Sequence, residues 1–488
     1  MKRITTTSSK QQVVFRAFQF VNADSIGAVT LSGANTFTGG LTLSAGTLSV
    51  GNAAALGTGT FTITGGTLDA SAAALTVANA LALNGDFAFA GTNALTLSGA
   101  ATLGANRTVT VTAGNLTLSG GVAGTGFDLT KAGTGTLTLS GANTYTGGTT
   151  VNAGTLKLDA SLNAAITPAN GIIASTSALT LGGGTLSITG ATGATAQTFA
   201  STALTTNTFS SVTASAGAGG LTVNLAAITR AASSGLNISL TSSPTLSYSV
   251  GATGWASTNG LNVSATTGAA FMTLNGTDWA NGVTNPVAST YTADTFTAST
   301  NNINVTTSGA WAGTSLNALR FNTAGAVTLT ITNANTLGAG GILVGSGAGA
   351  VNFGGTSSTG TVSGTAFTTA NGELNIFNFS SSAATINAGL INNASSSSYL
   401  LASPVGNTLN VFGAGTTILN ASRTATTFAN AYTGGTNISG SSTLQLGQNN
   451  AIPFCTSAPG GLSISGGATL DLNGKNQIIN GISGLGMV

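Results

Sequence analysis

Apolar side chains recur at every second position in short runs along the chain. Leu41 and Leu43 flank Thr42, Leu48 and Val50 flank Ser49, and Val327, Leu329 and Ile331 enclose Thr328 and Thr330. Side chains two residues apart leave a strand on the same face, so this period predicts short strands with one buried face and one wet face. The runs are punctuated by Ala45-Gly46 and Ala153-Gly154, where a glycine at positive φ can make the tight corner between strands. Asn-Gly turns are not regularly placed between the runs, so hairpins throughout are not predicted.

The strand-corner-strand unit repeats. Residues 31 to 50 read LSGANTFTGGLTLSAGTLSV, residues 139 to 158 read LSGANTYTGGTTVNAGTLKL, and a worn copy, NAYTGGTNISGSSTLQLG, occupies 430 to 447. Later strands open on Gly-Gly at Gly65, Gly183 and Gly466. Units that always turn the same way can stack as rungs about 4.8 Å apart, which pairs every backbone group and aligns Leu, Ile and Val in internal columns. Equivalent threonines lie 20 residues apart at Thr47 and Thr67, 26 at Thr443 and Thr469, and 30 at Thr155 and Thr185. One turn is therefore predicted to take 20 to 30 residues, giving the chain about 16 to 24 turns. Each buried Leu contributes about 1.5 to 3 kcal/mol, so stacking stabilises turns that would be unstable alone. In Leu156-Lys157-Leu158-Asp159, as in Leu470-Asp471-Leu472, the alternation places the charges on the outward phase.

GANTFTGG followed by AGTL at residues 33 to 48, and GANTYTGG followed by AGTL at 141 to 156, resemble the autotransporter-associated β-strand repeat. The resemblance implies an all-β, right-handed parallel β-helix solenoid of the kind found in exported passenger regions of bacterial surface proteins. On this reading residues 1–20 form an N-terminal tail. Residues 21–165 form β-helix with the two clear copies, and 356–488 form β-helix with degenerate repeats. The middle, 166–355, carries Trp255, Trp279 and Trp311 and reads as irregular rungs with longer loops, with a separately folded β domain as the alternative. The membrane barrel that often closes such proteins has no recognisable pattern before Gly486, Met487 and Val488, so truncation at the C-terminus is expected.

Composition narrows the class further. Charged residues make up 4% of 488 and Gly contributes 71, against about 25% charged in ordinary domains. Mean hydropathy of +0.37 with net charge +2 opposes disorder, which needs low hydropathy and high charge. Six prolines and no three-residue glycine period oppose collagen. The single cysteine, Cys455, precludes an intrachain disulfide and reads as a buried inert thiol. The start, MKRITTTSSKQQVVFRAFQF, lacks the apolar core and small-residue cleavage site of a signal peptide. Its basic residues Lys2, Arg3, Lys10 and Arg16 read as a solvated tail, not a membrane or nucleic-acid contact. No apolar run is long enough for a spanning helix.

The absence of histidine removes Ser-His-Asp and Cys-His catalysis and most zinc sites. Gly474-Lys475 is followed by Asn476 and is no phosphate loop, and GAGGILVGSGAGA at 338 to 350 reads as turns. β-Helix polysaccharide enzymes need clustered carboxylates. Here stacking can juxtapose only carboxylates about one rung apart, such as Asp69 with Asp86 or Asp278 with Asp294, and these read as solvated outward or loop positions. Thr58, Thr60, Thr62 and Thr64, with Thr108, Thr110 and Thr112, hint at an ice- or crystal-binding grid, although Thr is also an ordinary outward strand residue. The aromatic at Phe37, Tyr145 and Tyr432 reads as packing over a corner, with a sugar-stacking platform as the alternative. No catalytic, metal or cofactor-binding residue is assigned and no cofactor is expected. The expected function is a non-catalytic, secreted or cell-surface passenger acting as stalk or adhesin. Polysaccharide processing and ice binding stand as alternatives. Expected partners are surface glycans or neighbouring copies, with end-to-end self-association, no nucleic acid and no direct membrane span.

Overall fold

The structure is a computed structural model. It describes all residues except 1–17, 21–26, 164–170, 251–254, 260, 265–269, 283–285, 297–299, 312–314, 332–333, 355–360, 364–372, 392–407, 422–431, 433, 454–460, 466, 480 and 485–487. Lys2, Arg3, Lys10, Arg16 and Cys455 lie outside the described residues. The chain is all-β: parallel strands stack into a β-solenoid of about 16 turns. Among the described residues the only helical element is the 3-10 turn Ala160–Leu162, and no helix is long and apolar enough to cross a membrane. Two units are distinguished, one comprising Met1–Thr202, Thr213–Ala226 and Thr241–Leu246, the other Ala203–Val212, Ala227–Leu240 and Ser247–Val488.

In the first unit a turn contributes up to three strands, as Leu81–Leu83, Phe87–Phe89 and Leu95–Leu97 show, and each of these pairs in parallel with its counterpart one turn away. The aliphatic columns anticipated from period two are present: Leu43, Ile63, Leu83 and Leu103 in one stack, and Leu97, Leu118, Leu139, Leu158 and Ile188 in another. All nine are buried. Thr47 pairs with Thr67 and Thr155 with Thr185, the spacings read from the repeats. Phe18–Phe20, at the end of the segment read as a tail, is a strand in register with Leu41–Leu43. The corner glycines Gly46 and Gly154 have φ of +72° and +60°, the left-handed region that a side chain rarely occupies.

The outward placement of charges fails at two positions in this unit. Asp159 is buried, because the chain leaves the strand there into the 3-10 turn. Its carboxylate accepts from Ser161 N at 3.1 Å and pairs with Lys157 Nζ at 2.6 Å. Lys131 occupies the inward column between Val109 and Val151 and is only 1% exposed.

In the second unit one stack includes Ser315–Phe321, Ala334–Val344, Glu373–Asn378, Thr408–Gly413 and Thr436–Ile438, and a second includes Val327–Ile331, Val351–Phe353, Ala384–Ile386 and Thr416–Leu419. Leu329, Phe353, Ile386, Leu419 and Leu446 form an internal column. Thr443 pairs with Thr469 as predicted, but the spacing of paired strands varies, with 16 residues from Asn302 to Ala318 and 35 from Glu373 to Thr408. Strand register is set by the inward columns, whereas a loop outside them can lengthen at small entropic cost. Gly338 to Val344, read as turns, belong to an eleven-residue strand. Gly341 is needed there because a Cβ would come within 2.8 Å of the Trp279 ring.

Strand Glu373–Asn378 is buried at all six positions, which period two does not anticipate. Leu374 and Ile376 face the solenoid interior. On the opposite face Phe377, with Phe412, Leu343, Ala339 and Ala318, packs against Phe209, Leu261, Val263, Ala270 and Trp279 in a second core. Phe377 meets Trp279 edge-on at 5.3 Å and Phe209 at 5.8 Å. Part of the covering layer is antiparallel: Trp255–Thr258 pairs with Leu261–Ser264, and Met272–Leu274 with Asp278–Asn281. Asn259, Asn275 and Gly276 make the turns at positive φ.

Candidate functional site

The four carboxylates singled out as stacking pairs are each committed to local partners. Asp69 accepts from Thr92 N at 3.1 Å and Thr92 Oγ1 at 2.8 Å. Asp86 accepts from Thr108 N at 2.9 Å and stands 3.8 Å from Arg107. Asp278 pairs with Arg320 at 3.1 Å. Asp294 accepts from the backbone and hydroxyl of Thr306 and of Thr307. Burial alone would raise the Asp294 carboxyl, but those hydrogen bonds outweigh it and hold the group below the usual carboxylate range. Acid-base chemistry needs two carboxyls aimed at one point, and each of these four is engaged with its own separate partners. Among the described residues no group of three or more His, Cys, Asp or Glu is placed to hold a metal ion.

Two buried charge sites were not singled out from the sequence. The Lys131 ammonium donates to the carbonyls of Ala132, Gly133 and Ala153 at 2.8, 2.7 and 3.2 Å, which uses its three protons. Burial pulls it from the ordinary 10.5 down to about 8. Glu373 pairs with Arg230 at 2.6 Å, both side chains no more than 3% exposed. Glu373 also accepts from Ser233 N, Arg230 donates to Ser234 O, and the guanidinium sits 5.0 Å from the Phe271 ring. The available signal was phase: Leu129 and Lys131, like Glu373, Asn375 and Phe377, fall on one face of their strands.

The recurring corner aromatics are core residues: Phe37, Tyr145 and Tyr432 are at most 4% exposed, so none offers a ring to a sugar. Tyr145 Oη bonds Thr149 Oγ1 and Tyr432 Oη bonds Thr436 Oγ1, each at 2.7 Å. Where the aromatic is Phe37, the residue four further on is the buried Leu41, an apolar partner for an apolar ring. The threonines named along the chain do not build a two-dimensional grid. Thr108 stacks on Thr130, Thr150 and Thr180, but the next outward position on those turns reads Thr110, Ala132, Asn152 and Gly182.

Two uncharged depressions lie in the second unit. One, of about 530 Å³, is an open groove bordered by Thr328, Asn352, Thr385, Asn387 and Asn420. Its amides form a directed ladder, with Asn420 Nδ2 donating to Asn387 Oδ1 at 2.7 Å and Asn387 Nδ2 to Asn352 Oδ1 at 2.5 Å. The other, of about 340 Å³, is lined by Asn259, Thr290, Tyr291, Thr292, Thr300, Asn301 and Asn302. Sequence reading found neither, because their residues lie far apart along the chain and on outward phases that resemble any wet strand.

In-register parallel stacks, glycine corners and polar side chains committed to loops and ladders define a parallel β-solenoid repeat protein. Three of its segments are similar to a known kind of repeat: the family model of the passenger-associated-transport repeat matches residues 26–50, 129–158 and 409–446. The matched segments contain the Phe37 and Tyr145 corners and Tyr432. No curated protein and no solved structure matches the chain.

Proposed function

We propose that this chain is a passenger region of an exported bacterial surface protein, acting without catalysis as a stalk or adhesive element. The observation that carries this reading is the match of three segments to passenger-associated-transport repeats, all built on the same corner in a parallel β-solenoid. Two physical features support it. A single cysteine leaves no intrachain disulfide to obstruct passage of an unfolded chain. Each solenoid turn needs only its neighbour as a template, which suits a chain that emerges and folds progressively. The commitment of Asp69, Asp86, Asp278 and Asp294 to separate hydrogen bonds and ion pairs favours a structural role over polysaccharide cleavage. The test is antibody labelling of intact producing cells, with and without external protease. Labelling that the protease removes is expected; protein found only in the cytoplasm and protected from protease would overturn the reading.

A further inference from the structure

One face of the second unit is covered by chain that lies far from it in sequence. Stacked strands there pair residues a few tens apart, 35 for Glu373 with Thr408. Contacts across the covered face span much longer intervals. Asn375 Nδ2 donates to Ala270 O, 105 residues away. Glu373 accepts from Arg230 and from Ser233 N at separations of 143 and 140. Asn437 Nδ2 donates to Ser233 O across 204 residues, Ser439 Oγ accepts from Phe209 N across 230, and Ser465 Oγ donates to Asn207 O across 258. Closing a longer loop costs more chain entropy, and contacts of high separation form more slowly than local ones. Each solenoid turn needs only its neighbour, whereas the covering layer has no complete docking surface until the turns as far as Ser465 are in place.

The seam also differs from the stacks in how it is held. Stacked strands share ladders of backbone hydrogen bonds, but each polar contact just named uses a side chain. The stacked amides Asn410 and Asn437 bury their Oδ1 atoms with no partner among the described residues, which weighs against the closed arrangement. The Arg230–Glu373 pair, no more than 3% exposed, contributes little net stability while both charges are present but is costly to break on one side. The apolar part of the seam is interlocked. Phe377 meets Trp279, Phe209 and Phe412 at 5.3, 5.8 and 4.9 Å between ring centroids, and Phe412 stacks on Phe209 at 5.5 Å. Rings packed in this way cannot leave singly without opening a cavity, so the seam parts as a whole.

We propose that the covering layer, residues 203–212, 227–240, 261–264 and 270–281, is a closure that docks last, after the turns through Ser465 have stacked, and releases as one unit before those turns unfold. Release bares Leu343, Phe377 and Phe412 on the outward face of the stack, so this apolar surface is concealed only in a chain folded through residue 465. The test is native-state hydrogen exchange of the full chain over rising denaturant, read by mass spectrometry, with thiol labelling in a Cys455→Ser background. Peptides from the layer should lose protection together, at lower denaturant than peptides carrying Val327–Ile331 and Val351–Phe353. Ala339→Cys, on the seam, should label about tenfold or more faster than Ala384→Cys, in an inward column, the ratio that 1.4 kcal/mol of extra opening cost produces, although both alanines are no more than 2% exposed. Glu373→Gln should speed labelling of Ala339→Cys about a hundredfold or more, the scale of a buried pair broken on one side, and leave Ala384→Cys unchanged. Arg230→Met combined with Glu373→Leu should bring the rate back toward that of the parent. Loss of protection by layer and stacks in a single transition, equal labelling of the two cysteines, or an equal effect of Glu373→Gln on both would each overturn the proposal.

Discussion

Lys131 shows how far a single side chain can depart from its strand's pattern when the backbone accommodates it. An isolated charge in an apolar column would cost several kcal/mol, yet three carbonyls at the corner accept its three protons. Those bonds favour the ammonium while burial opposes it, and burial prevails enough to bring the group to about 8 from 10.5. Between those values the unfolded chain holds a proton that the folded chain has lost, so stability rises with pH across that window. The tyrosines act with opposite sign. Burial raises Tyr145 and Tyr432 above the ordinary 10.0, so above pH 10 the unfolded chain ionises first and stability falls. Denaturant unfolding should therefore show a gain of about 2 kcal/mol between pH 7 and pH 9.5, followed by a decline. Lys131→Met should flatten the rise and leave the decline; a rise that persists in that variant would refute this account of Lys131.

At the level of the repeated element, the corner is a coupled pair and not a lone aromatic. Tyr145 with Thr149 and Tyr432 with Thr436 share a hydrogen bond inside the core, whereas the equivalent positions Phe37 and Leu41 are both buried and wholly apolar. An unpaired buried hydroxyl costs about 1 to 3 kcal/mol. Phe37→Tyr alone should lower stability by about that amount, and Phe37→Tyr with Leu41→Thr should recover much of the loss. A double-mutant cycle measures this as a coupling of about 1 kcal/mol, and an additive result would count against the pairing. The strand, the Gly corner and the one-turn spacing of this element were legible in residues 31 to 50 and 139 to 158, because period two and positive-φ glycines are local properties. The partner of the aromatic was legible in principle, four residues on, but its burial had to be seen.

Over the molecule as a whole, electrostatics contributes little that salt can reach. With 4% charged residues and net charge +2, and with Arg230–Glu373 sealed from solvent, screening has few exposed pairs to weaken. The unfolding midpoint should be nearly unchanged between 0.05 and 0.5 M sodium chloride, and a marked fall would reveal surface ion pairs carrying stability. The sequence by itself determined the fold class: alternating aliphatics, glycine corners and repeat spacings are short-range features, and the registers Thr47 with Thr67, Thr155 with Thr185 and Thr443 with Thr469 follow from them. Tertiary structure alone decided which outward faces become inward. The strand ELNIFN is buried on both sides because a layer containing Phe209 and Trp279 lies across it, and nothing local distinguishes a strand face left in water from one covered by residues far away along the chain. The same reason hid the partners of Glu373, since Arg230 and Ser233 are residues that only the folded chain brings to it.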